Sequence, residues 1–434
     1  MTRGIVAAAL VRPVWEASGL RVEGPDEDAF TLAVAAIEEL GLPPAELAHL
    51  ERVDLVGEFP PEVDWGIGEA LGVDNVAVHH HHEGVPSFYG ALASAAASPP
   101  SGSGLSVVVG VDLATRGREP PQPRQAACAV AVLLKEGPGS RVVGLTSRNH
   151  PPERRPDASA WVRQAHKAAP EISRDSRGIL GVIAEAPPPV LLHEWQTTFP
   201  SLVPVVRPWE LPEWGHLGSC RGALALHEHL QAAPSGEFVC IAAIRKERTD
   251  FLALRRDAEP TWHGDWSEAG AALPTPNDRP FALAVDLEAV SEGAYVPRPR
   301  YVENLPSRWR FAAEECGGCG KVTFPRRGYC RHCRRTEGLQ RVELPREGLT
   351  VEAVTTVAPG AQPTEFDPQV AASGSYSVAL VDLTRGARAT LQVSDAPRGS
   401  LRVGDRVATR LRRLYPMEGA WRYGRKAVPL LPRS

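Results

Sequence analysis

Hydrophobic residues in the first 295 positions form short runs that alternate with amphipathic segments. The runs Ile5–Val11, Leu105–Val111 and Ala126–Leu134 are almost entirely apolar, which is typical of strands buried on both faces of a sheet. Asp26–Leu40 has apolar residues at helical spacing, acidic residues in its first turn and a glycine after its end, so it predicts a helix. Ser87–Ala97 is rich in alanine and predicts a second helix. Alternating strands and helices indicate an α/β fold.

Weaker patterns fill the remainder of this region. Residues 98–104 and 116–124 are rich in proline, glycine and serine or arginine, and we expect them to be loops. The other predicted elements are three strands and one helix: Val53–Val56, Val190–His193, Phe238–Ile244 and the apolar helix Gly222–Leu230.

The pattern changes near residue 296. Residues 297–301 alternate proline with arginine, which predicts a linker, and a short helix is expected at Leu305–Glu315. Five short strands separated by turns follow, and they predict a small β-barrel of the oligonucleotide/oligosaccharide-binding (OB) type. We therefore expect three parts, residues 1–295, 296–340 and 341–434. The five predicted strands are Leu349–Val357, Ser375–Asp382, Ala387–Val393, Arg406–Leu414 and Trp421–Val428.

Charge divides the chain at the same place. The 434 residues are 43% hydrophobic and 23% charged with a net charge of -4, which excludes wholesale disorder and argues against a dedicated nucleic-acid binder. Residues 296–434 nevertheless carry 24 basic and 13 acidic residues, and residues 1–295 carry 24 basic and 39 acidic residues. A basic C-terminal module is thus attached to an acidic body.

Compartment signals favour the cytoplasm. No run of 18 apolar residues predicts a membrane-spanning helix, and we expect no membrane association. The apolar stretch near the start ends at Arg12-Pro13 without a small-residue cleavage site, so it predicts a buried strand rather than a signal peptide. Seven cysteines in 434 residues do not form a disulfide framework.

Four of the cysteines have metal-ligand spacing. Cys316 and Cys319 form one CxxC pair, and Cys330 and Cys333 form a second pair ten residues later. Two such knuckles bring four thiolates together in the tetrahedral arrangement that Zn²⁺ prefers. Because all four positions are filled by protein, the predicted zinc site is structural rather than catalytic. His332 is expected to be a bystander.

The zinc ribbon and barrel resemble a known family. The matching segments are the ribbon, with Phe324-Pro325 before its second knuckle, and the strands 376–383 and 401–407. They are similar to acyl-CoA-associated zinc-ribbon/OB-fold proteins, and the resemblance covers about 135 residues. Members of that family sit in complexes with thiolases or hydroxymethylglutaryl-CoA synthases. The resemblance implies that this module holds such enzymes together and handles CoA thioesters.

The basic charge then has two possible roles. Arginines suit the phosphates of CoA, and Arg326, Arg327 and Arg331 are candidates for contacting them. The same charge could instead dock the module onto the acidic body or simply face solvent. Nucleic-acid binding is a further alternative for a ribbon and barrel, but few aromatic residues lie among these arginines to stack bases.

The body resembles the thiolase-like superfamily, with the hydroxymethylglutaryl-CoA synthase and ketoacyl synthase III branch most similar. The segments that carry the resemblance are residues 4–13, 24–36 and 126–134. It implies two similar halves stacked in five layers, α-β-α-β-α, and dimerisation through this domain with a like or unlike subunit.

That superfamily attacks thioesters with a cysteine at a helix N-terminus, where the helix dipole favours thiolate. In this chain the matching position is Val85, which cannot act as a nucleophile. Glu83 and Ser87 are poor substitutes. The expected glycine-rich oxyanion loop is also replaced, by the charged segment Ala242–Phe251. Loss of both elements together is typical of an active site that has lost its catalytic activity.

Two histidines match superfamily positions. His193 matches the catalytic histidine, with Gln196 in place of the following asparagine, and His216 occupies a position held by asparagine or histidine. They are the candidate catalytic residues if any activity persists. The remaining cysteines, of which Cys220 is the one worth testing, are expected to be inert core thiols; they are Cys128, Cys220 and Cys240.

An internal run of four histidines, residues 79–82, precedes the missing nucleophile. We expect a loop here. Imidazoles bind Zn, Ni and Cu, but neighbouring histidines on a strand would point to opposite faces and chelate poorly.

The leading prediction is a non-catalytic thiolase-like subunit with its own CoA-handling module, paired with an active thiolase or ketosynthase. One alternative is a cysteine-independent acyltransferase or decarboxylase that uses His193 and His216. A nucleic-acid-binding ribbon and barrel is the other alternative.

Overall fold

The computed structural model describes most of the chain. No helix of the described residues is long and apolar enough to cross a membrane. The described residues are 3–82, 84–98, 104–114, 126–149, 158–184, 189–208, 211, 214–215, 217–244, 248–266, 272–275, 297–397, 399–417 and 419–430.

The first half of the body begins with a long buried strand and ends with two more. Asp28 begins the first long helix, because its carboxylate accepts the Thr31 N–H at 2.9 Å and the Thr31 hydroxyl accepts the Asp28 N–H. The elements in order are β1 (Arg3–Val11), β2 (Trp15–Ala17), β3 (Leu20–Val22), α1 (Ala29–Glu39), α2 (Pro44–Leu47), β4 (Leu50–Val56), α3 (Val63–Leu71), β5 (Ala77–His81), α4 (Val85–Ala97), β6 (Leu105–Asp112) and β7 (Cys128–Glu136).

The second half follows the same plan, and two short strands close the body. The elements are β8 (Ser140–Asn149), α5 (Ala158–Ala168), β9 (Gly178–Ile183), α6 (Pro189–Thr198), β10 (Leu202–Arg207), α7 (Ser219–Ala232), β11 (Phe238–Ile244), β12 (Arg248–Arg256), β13 (Thr261–Gly264) and β14 (Leu273–Pro274).

Strand order shows that the two halves are alike. The first half has the order β5-β4-β6-β7-β1, and the second has the equivalent order β10-β9-β11-β12-β8. In each half the fourth strand of this order is antiparallel to both of its neighbours, while the first three are parallel. The halves meet where Gly4 and Ile5 of β1 pair with Arg141 and Ser140 of β8.

The helices and sheets of the body form five layers, which pack against one another through three apolar cores. The central core is formed by α4 and α7, which pack against each other and against strands of both halves. A second core places α1 and α3 on the outer face of the first sheet, and a third places α5 and α6 on the outer face of the second. The predicted α/β fold of two similar halves in five layers is confirmed.

The C-terminal module contains two short helices, a three-stranded ribbon and a five-stranded antiparallel sheet. The sheet has the order β20-β19-β18-β21-β22, and a parallel bridge between Val393 and Ala427 links its two ends. Its elements are α8 (Arg298–Glu303), α9 (Leu305–Arg310), β15 (Ala312–Cys316), β16 (Val322–Thr323), β17 (Leu339–Glu343), β18 (Leu349–Val357), α10 (Asp367–Ser373), β19 (Tyr376–Asp382), β20 (Arg388–Gln392), β21 (Arg406–Met417) and β22 (Ala420–Pro429).

Four local predictions were wrong. The helix expected at Leu305–Glu315 ends at Arg310, and Ala312–Cys316 form strand β15. Residues 190–193 form part of α6 rather than a strand, because Trp195 and Phe199 repeat at helical spacing and pack on the core beneath. Residues 298–301 belong to α8, whose Tyr301 is buried. The histidine run is a strand, because β5 pairs in parallel with β4. The predicted loop 116–124 lies outside the described residues, as does most of 98–104.

The basic module docks on α1 through buried ion pairs. Glu38, in the last turn of α1, binds the guanidinium groups of Arg425 and Arg346, the latter at 2.6 Å, and Arg425 is fully buried. Burial alone would raise the pKa of Glu38, but Arg425, Arg346 and Arg410 lower it to about 2. Much of the module's positive charge therefore docks it onto the acidic body.

A second ionic cluster joins the residues just before α1 to the barrel. Lys426 contacts Asp26 at 2.9 Å, and Arg412 contacts both Glu27 at 2.8 Å and Asp395 at 2.7 Å. Burial raises the pKa of Glu27 to about 8, with Arg412 opposing the shift and Asp395 adding to it. Asp26 and Glu27, which the sequence pattern placed in the first turn of the helix, thus precede the helix and contact basic side chains of the module.

Aromatic packing completes this contact. Phe30 of α1 meets the rings of Trp309 and Tyr423 at centroid distances of 5.8 and 5.0 Å, and the Tyr423 hydroxyl donates to Asp28 at 2.9 Å. Trp309 and Tyr423 belong to the same apolar core as α1 and α3. Body and module therefore share one hydrophobic core.

Replacing Glu38 by glutamine should leave Arg425 buried without a charge partner. Breaking a buried pair in this way costs about 3–5 kcal/mol, so the free energy of unfolding measured in urea should fall by that amount. The matched control is Glu46→Gln, because Glu46 pairs with Lys135 at 3.4 Å while both side chains are 44% exposed. That change should cost less than about 1 kcal/mol. Equal effects of the two substitutions would contradict the docking described here.

Candidate functional site

The four predicted ligands converge at one end of the ribbon. Cys316 ends β15, and the Sγ atoms of Cys316, Cys319, Cys330 and Cys333 all lie within 4.8 Å of one another. The Sγ atoms of Cys316 and Cys333 are 3.5 Å apart, and those of Cys319 and Cys330 are 3.6 Å apart.

Backbone turns position these thiols. The Gly320 N–H donates to the Cys316 carbonyl at 2.7 Å, and the Arg334 N–H donates to the Cys330 carbonyl at 2.9 Å. Gly320 has a φ of +64°, which favours glycine at this point of the first knuckle. The N–H groups of Cys333 and His332 lower the pKa of Cys330 to about 6, which favours the thiolate that a metal binds.

The four sulfurs fit a zinc ion. Tetrahedral Zn²⁺ with bonds of about 2.3 Å places its sulfur ligands about 3.8 Å apart, close to the separations observed. With four protein ligands the site leaves no open position for substrate, so zinc here supports the fold of the ribbon. His332 donates its backbone N–H towards Cys330 Sγ at 3.4 Å, and its side chain is exposed.

The position at which the sequence resemblance predicts a nucleophile lies in a different region. Val85 is the first residue of α4, at the centre of the molecule, and it is fully buried in the central core. Ser87, two residues further along α4, is half-buried, and Glu83 lies outside the described residues. A valine at this helix start offers no acyl-accepting atom.

Neighbouring polar groups are paired with one another. The Gly84 N–H, at the start of α4, donates to the Ser219 hydroxyl at 3.0 Å. Asp112, at the end of β6, accepts the N–H groups of Ser219 and Cys220 at the start of α7, each at 2.9 Å. A buried carboxylate therefore occupies the N-terminus of α7, where it meets the positive end of the helix.

The remaining cysteines are packed inside the body. Cys220 donates its thiol to the carbonyls of Gly110 and Cys128 at 3.5 and 3.4 Å. Burial raises the pKa of Cys220 and Cys128, and it raises that of Cys240 as well. All three thiols are fully buried in their neutral form, which is a poor nucleophile and a poor metal ligand.

The structure describes one of the two candidate catalytic histidines, and it does not place that residue at this centre. His193 lies in α6, on the outer layer of the second half, and its side chain is exposed, as is that of Gln196. His216 lies outside the described residues. The segment expected to replace the oxyanion loop joins β11 to β12, which pair from Phe238–Arg255 to Ile244–Thr249.

A large cleft opens where α8, α9, the ribbon and the barrel meet. Its volume is about 1010 Å³. Aromatic and aliphatic side chains form part of its wall, including Phe324, Tyr329, Phe366, Leu391 and Tyr415. The basic residues that line it are Arg300, Arg308, Arg326, Arg327, Arg388 and Arg425.

The arginines of this cleft differ in their partners. Arg326 approaches Glu314 at 3.4 Å, and Glu314 also accepts the N–H groups of Arg327 and Gly328 at 3.1 and 2.9 Å. These contacts hold the loop of residues 326–328 against β15. For Arg327 and Arg308, no carboxylate partner is found among the described residues, so their charges remain available to an anion.

Two of the three predicted CoA-contacting residues lie in the cleft. Arg326 and Arg327 line it, whereas Arg331 is exposed on the ribbon and does not. Sequence reasoning missed Arg308 and Arg388, because the first lies in a segment read simply as a helix and the second starts a barrel strand. It also missed Asp112, although a single acidic residue at the end of the apolar run of β6 was a visible signal.

Comparisons with known proteins match the C-terminal module most clearly. A family model described as "ChsH2, rubredoxin-like zinc ribbon domain" matches residues 309–338. A DUF35 domain-containing scaffold protein of Methanothermobacter thermautotrophicus is 31% identical over 130 residues, which are 29% of this chain and 91% of that protein. A protein with the same description from Methanocaldococcus jannaschii is 29% identical over 130 residues, covering 86% of its length.

Solved structures similar to this chain include condensing enzymes. An acyltransferase described as ChlB3 is 16% identical with a TM-score of 0.44, covering 61% of this chain and 99% of that protein. The 3-oxoacyl-[acyl-carrier-protein] synthase III from Aquifex aeolicus is 14% identical with a TM-score of 0.43, covering 58% and 99%.

Zinc that stays bound through dialysis should depend on the four ribbon cysteines. The purified chain should contain about one zinc per molecule by elemental analysis. Cys330→Ser should lose that zinc and loosen the ribbon, because three ligands and a hydroxyl hold the ion weakly. Cys240→Ala, which changes a buried thiol in the body, should retain it. Zinc retained by Cys330→Ser at the wild-type level would show that the four-cysteine site is not the metal centre.

Proposed function

Because the chain belongs to the family of DUF35 domain-containing scaffold proteins, we propose that it is an accessory, non-catalytic subunit of an acyl-CoA condensing complex. In this proposal its thiolase-like body pairs with a catalytically intact thiolase or ketosynthase. Its C-terminal module holds the CoA part of the thioester, and the partner performs the carbon–carbon bond chemistry.

The observation that carries this proposal is the nature and burial of the residues at the start of α4. Val85 stands where the resemblance places a nucleophilic cysteine, and its side chain is fully buried. The adjoining polar atoms of Gly84, Ser219 and Asp112 bind one another rather than facing a substrate. Without a thiol and with these groups paired, an acyl-enzyme has no atom on which to form here.

The docking of the module supports a scaffold rather than a mobile carrier. The cleft is bounded by α8 and α9, and Trp309 of α9 packs in the same core as α1. Arg425 both lines the cleft and pairs with Glu38 of the body. A ligand in the cleft would thus be held in a fixed position relative to the body, because moving the module would separate buried charges.

CoA is the ligand class that suits this cleft. Its adenosine group presents an aromatic ring, and its 3′-phosphate and pyrophosphate present the negative charge that arginine guanidinium groups bind. Arginines and aromatic side chains line the same cavity. A volume of about 1010 Å³ is large enough for the nucleotide portion of CoA.

The two alternative functions receive less support. A cysteine-independent enzyme would need His193 near a substrate pocket, but His193 is exposed on an outer helix. A nucleic-acid binder would need a basic surface with exposed aromatic platforms. Here several barrel arginines instead form ion pairs with the body, among them Arg412, Arg413 and Arg425.

Arg327 provides a direct test of the cleft. Arg327→Ala should weaken CoA binding about tenfold in calorimetric titration, because one charge-assisted phosphate contact is lost. Arg331→Ala is the matched control, since it removes an exposed ribbon arginine outside the cleft and should leave affinity unchanged. With 3′-dephospho-CoA the affinity should be lower for wild type as well. Equal losses for both variants would indicate general charge attraction instead of binding in the cleft.

Assembly tests the role as a subunit. The purified chain should co-elute in fixed stoichiometry with the thiolase or ketosynthase isolated from the same cells, and only the pair should condense acyl-CoA. A partner whose nucleophilic cysteine is changed to alanine should still assemble but should be inactive. Failure to associate with any such enzyme, together with acyl-CoA turnover by this chain alone, would overturn the proposal.

A further inference from the structure

The histidine run forms an exposed edge of the sheet. Residues 79–81 belong to β5, the last strand of the first half, which pairs with β4 on one side and with no strand among the described residues on the other. His79, His80 and His82 are exposed, and His81 is half-buried. Imidazole groups therefore lie in a row beside open solvent.

Strand geometry sorts these side chains onto two faces. Successive residues of a strand point to opposite faces, so His79 and His81 share one face. Asp54 of β4 pairs in register with His79 and lies on the same face. His80 lies on the opposite face. His82 follows the end of β5, so strand pairing does not fix His80 and His82 relative to each other.

A chain of hydrogen bonds fixes the orientation of His81. Its Nε2 lies 2.7 Å from Asp54 Oδ1, and Asp54 is fully buried. Arg52 binds both carboxylate oxygens of Asp54, at 2.5 and 2.7 Å, and is itself held by Ser94 at 2.8 Å and by Ser98. Nε2 is engaged by the carboxylate, and no partner of Nδ1 is found among the described residues, so Nδ1 is the atom of His81 that can bind a cation.

This arrangement is typical of histidines that bind metal. Ligating histidines commonly donate their second ring nitrogen to a carboxylate, which fixes the ring and makes the ligating nitrogen more basic. Two imidazoles two residues apart on one strand face give a chelating pair. His80 also approaches a carboxylate, Asp64 at 2.5 Å, but Asp64 is 65% exposed and no buried network is found around it among the described residues.

We propose that His79 and His81 bind one divalent transition-metal ion, of the Zn²⁺, Ni²⁺ or Cu²⁺ class, on the α4-facing side of β5. Asp54 acts as a positioning residue that orients His81, and water fills the remaining coordination positions. This site is separate from the ribbon zinc, since its ligands are nitrogen atoms of the body. It is also independent of the proposed CoA cleft.

Nickel titration of the zinc-loaded protein tests the proposal. Calorimetry with NiCl₂ should show one Ni²⁺ bound per chain. The double variant His79→Ala/His81→Ala should bind at least tenfold more weakly, because both ligands are lost. His80→Ala/His82→Ala, which removes the same number of histidines from the run, should change affinity less than about threefold.

The same comparison distinguishes an oriented site from a flexible histidine run. Equal losses in the two double variants would overturn the proposal, as would unchanged Ni²⁺ binding by His79→Ala/His81→Ala. Asp54→Asn adds a positioning readout: the loss of the orienting carboxylate should weaken Ni²⁺ binding about tenfold while His79 and His81 remain. Circular dichroism of each variant confirms that the fold is retained.

Discussion

The buried contact between Glu38 of the body and Arg425 of the barrel is the interaction on which the architecture depends. Removing two charges from water costs several kcal/mol for each ion, so such a pair persists only when its remaining hydrogen bonds are satisfied. Arg425 meets this condition by also donating to the carbonyls of Trp309 and Thr409. The pair therefore connects α1, α9 and the barrel to one another. As a consequence, the cleft between α9, the ribbon and the barrel has a defined shape.

That contact also accounts for the uneven charge along the chain. The excess of acidic residues in the body and of basic residues in the module meet across one interface, where Asp26, Glu27 and Glu38 face Lys426, Arg412 and Arg425. Among the arginines of α9 and the ribbon, Arg308 and Arg327 line the cleft and have no carboxylate partner among the described residues. The same charge asymmetry thus docks the module on the body, and in our proposal it also provides the anion-binding arginines of the cleft.

Sequence reasoning predicted the layers better than the sites. Strands such as β6 and β7 are buried on both faces and show continuous apolar runs, so their positions and the α/β class were predictable, as was the four-cysteine site from its spacing. Residues 190–193 were misread as a strand because a short apolar run does not distinguish a strand from a helix that covers a core. The cleft could not be predicted, since its arginines come from segments far apart in sequence, and pairing of Asp112 with the start of α7 is likewise a tertiary contact.

We propose that the body forms no acyl-enzyme. Intact-protein mass spectrometry of the purified chain, after incubation with a panel of acyl-CoA thioesters, tests this proposal. We expect an unchanged mass, because Val85 begins α4 and the buried thiols of Cys128, Cys220 and Cys240 are neutral and inaccessible. A stoichiometric increase equal to the acyl group, located by peptide mapping to a residue of the body, would contradict it.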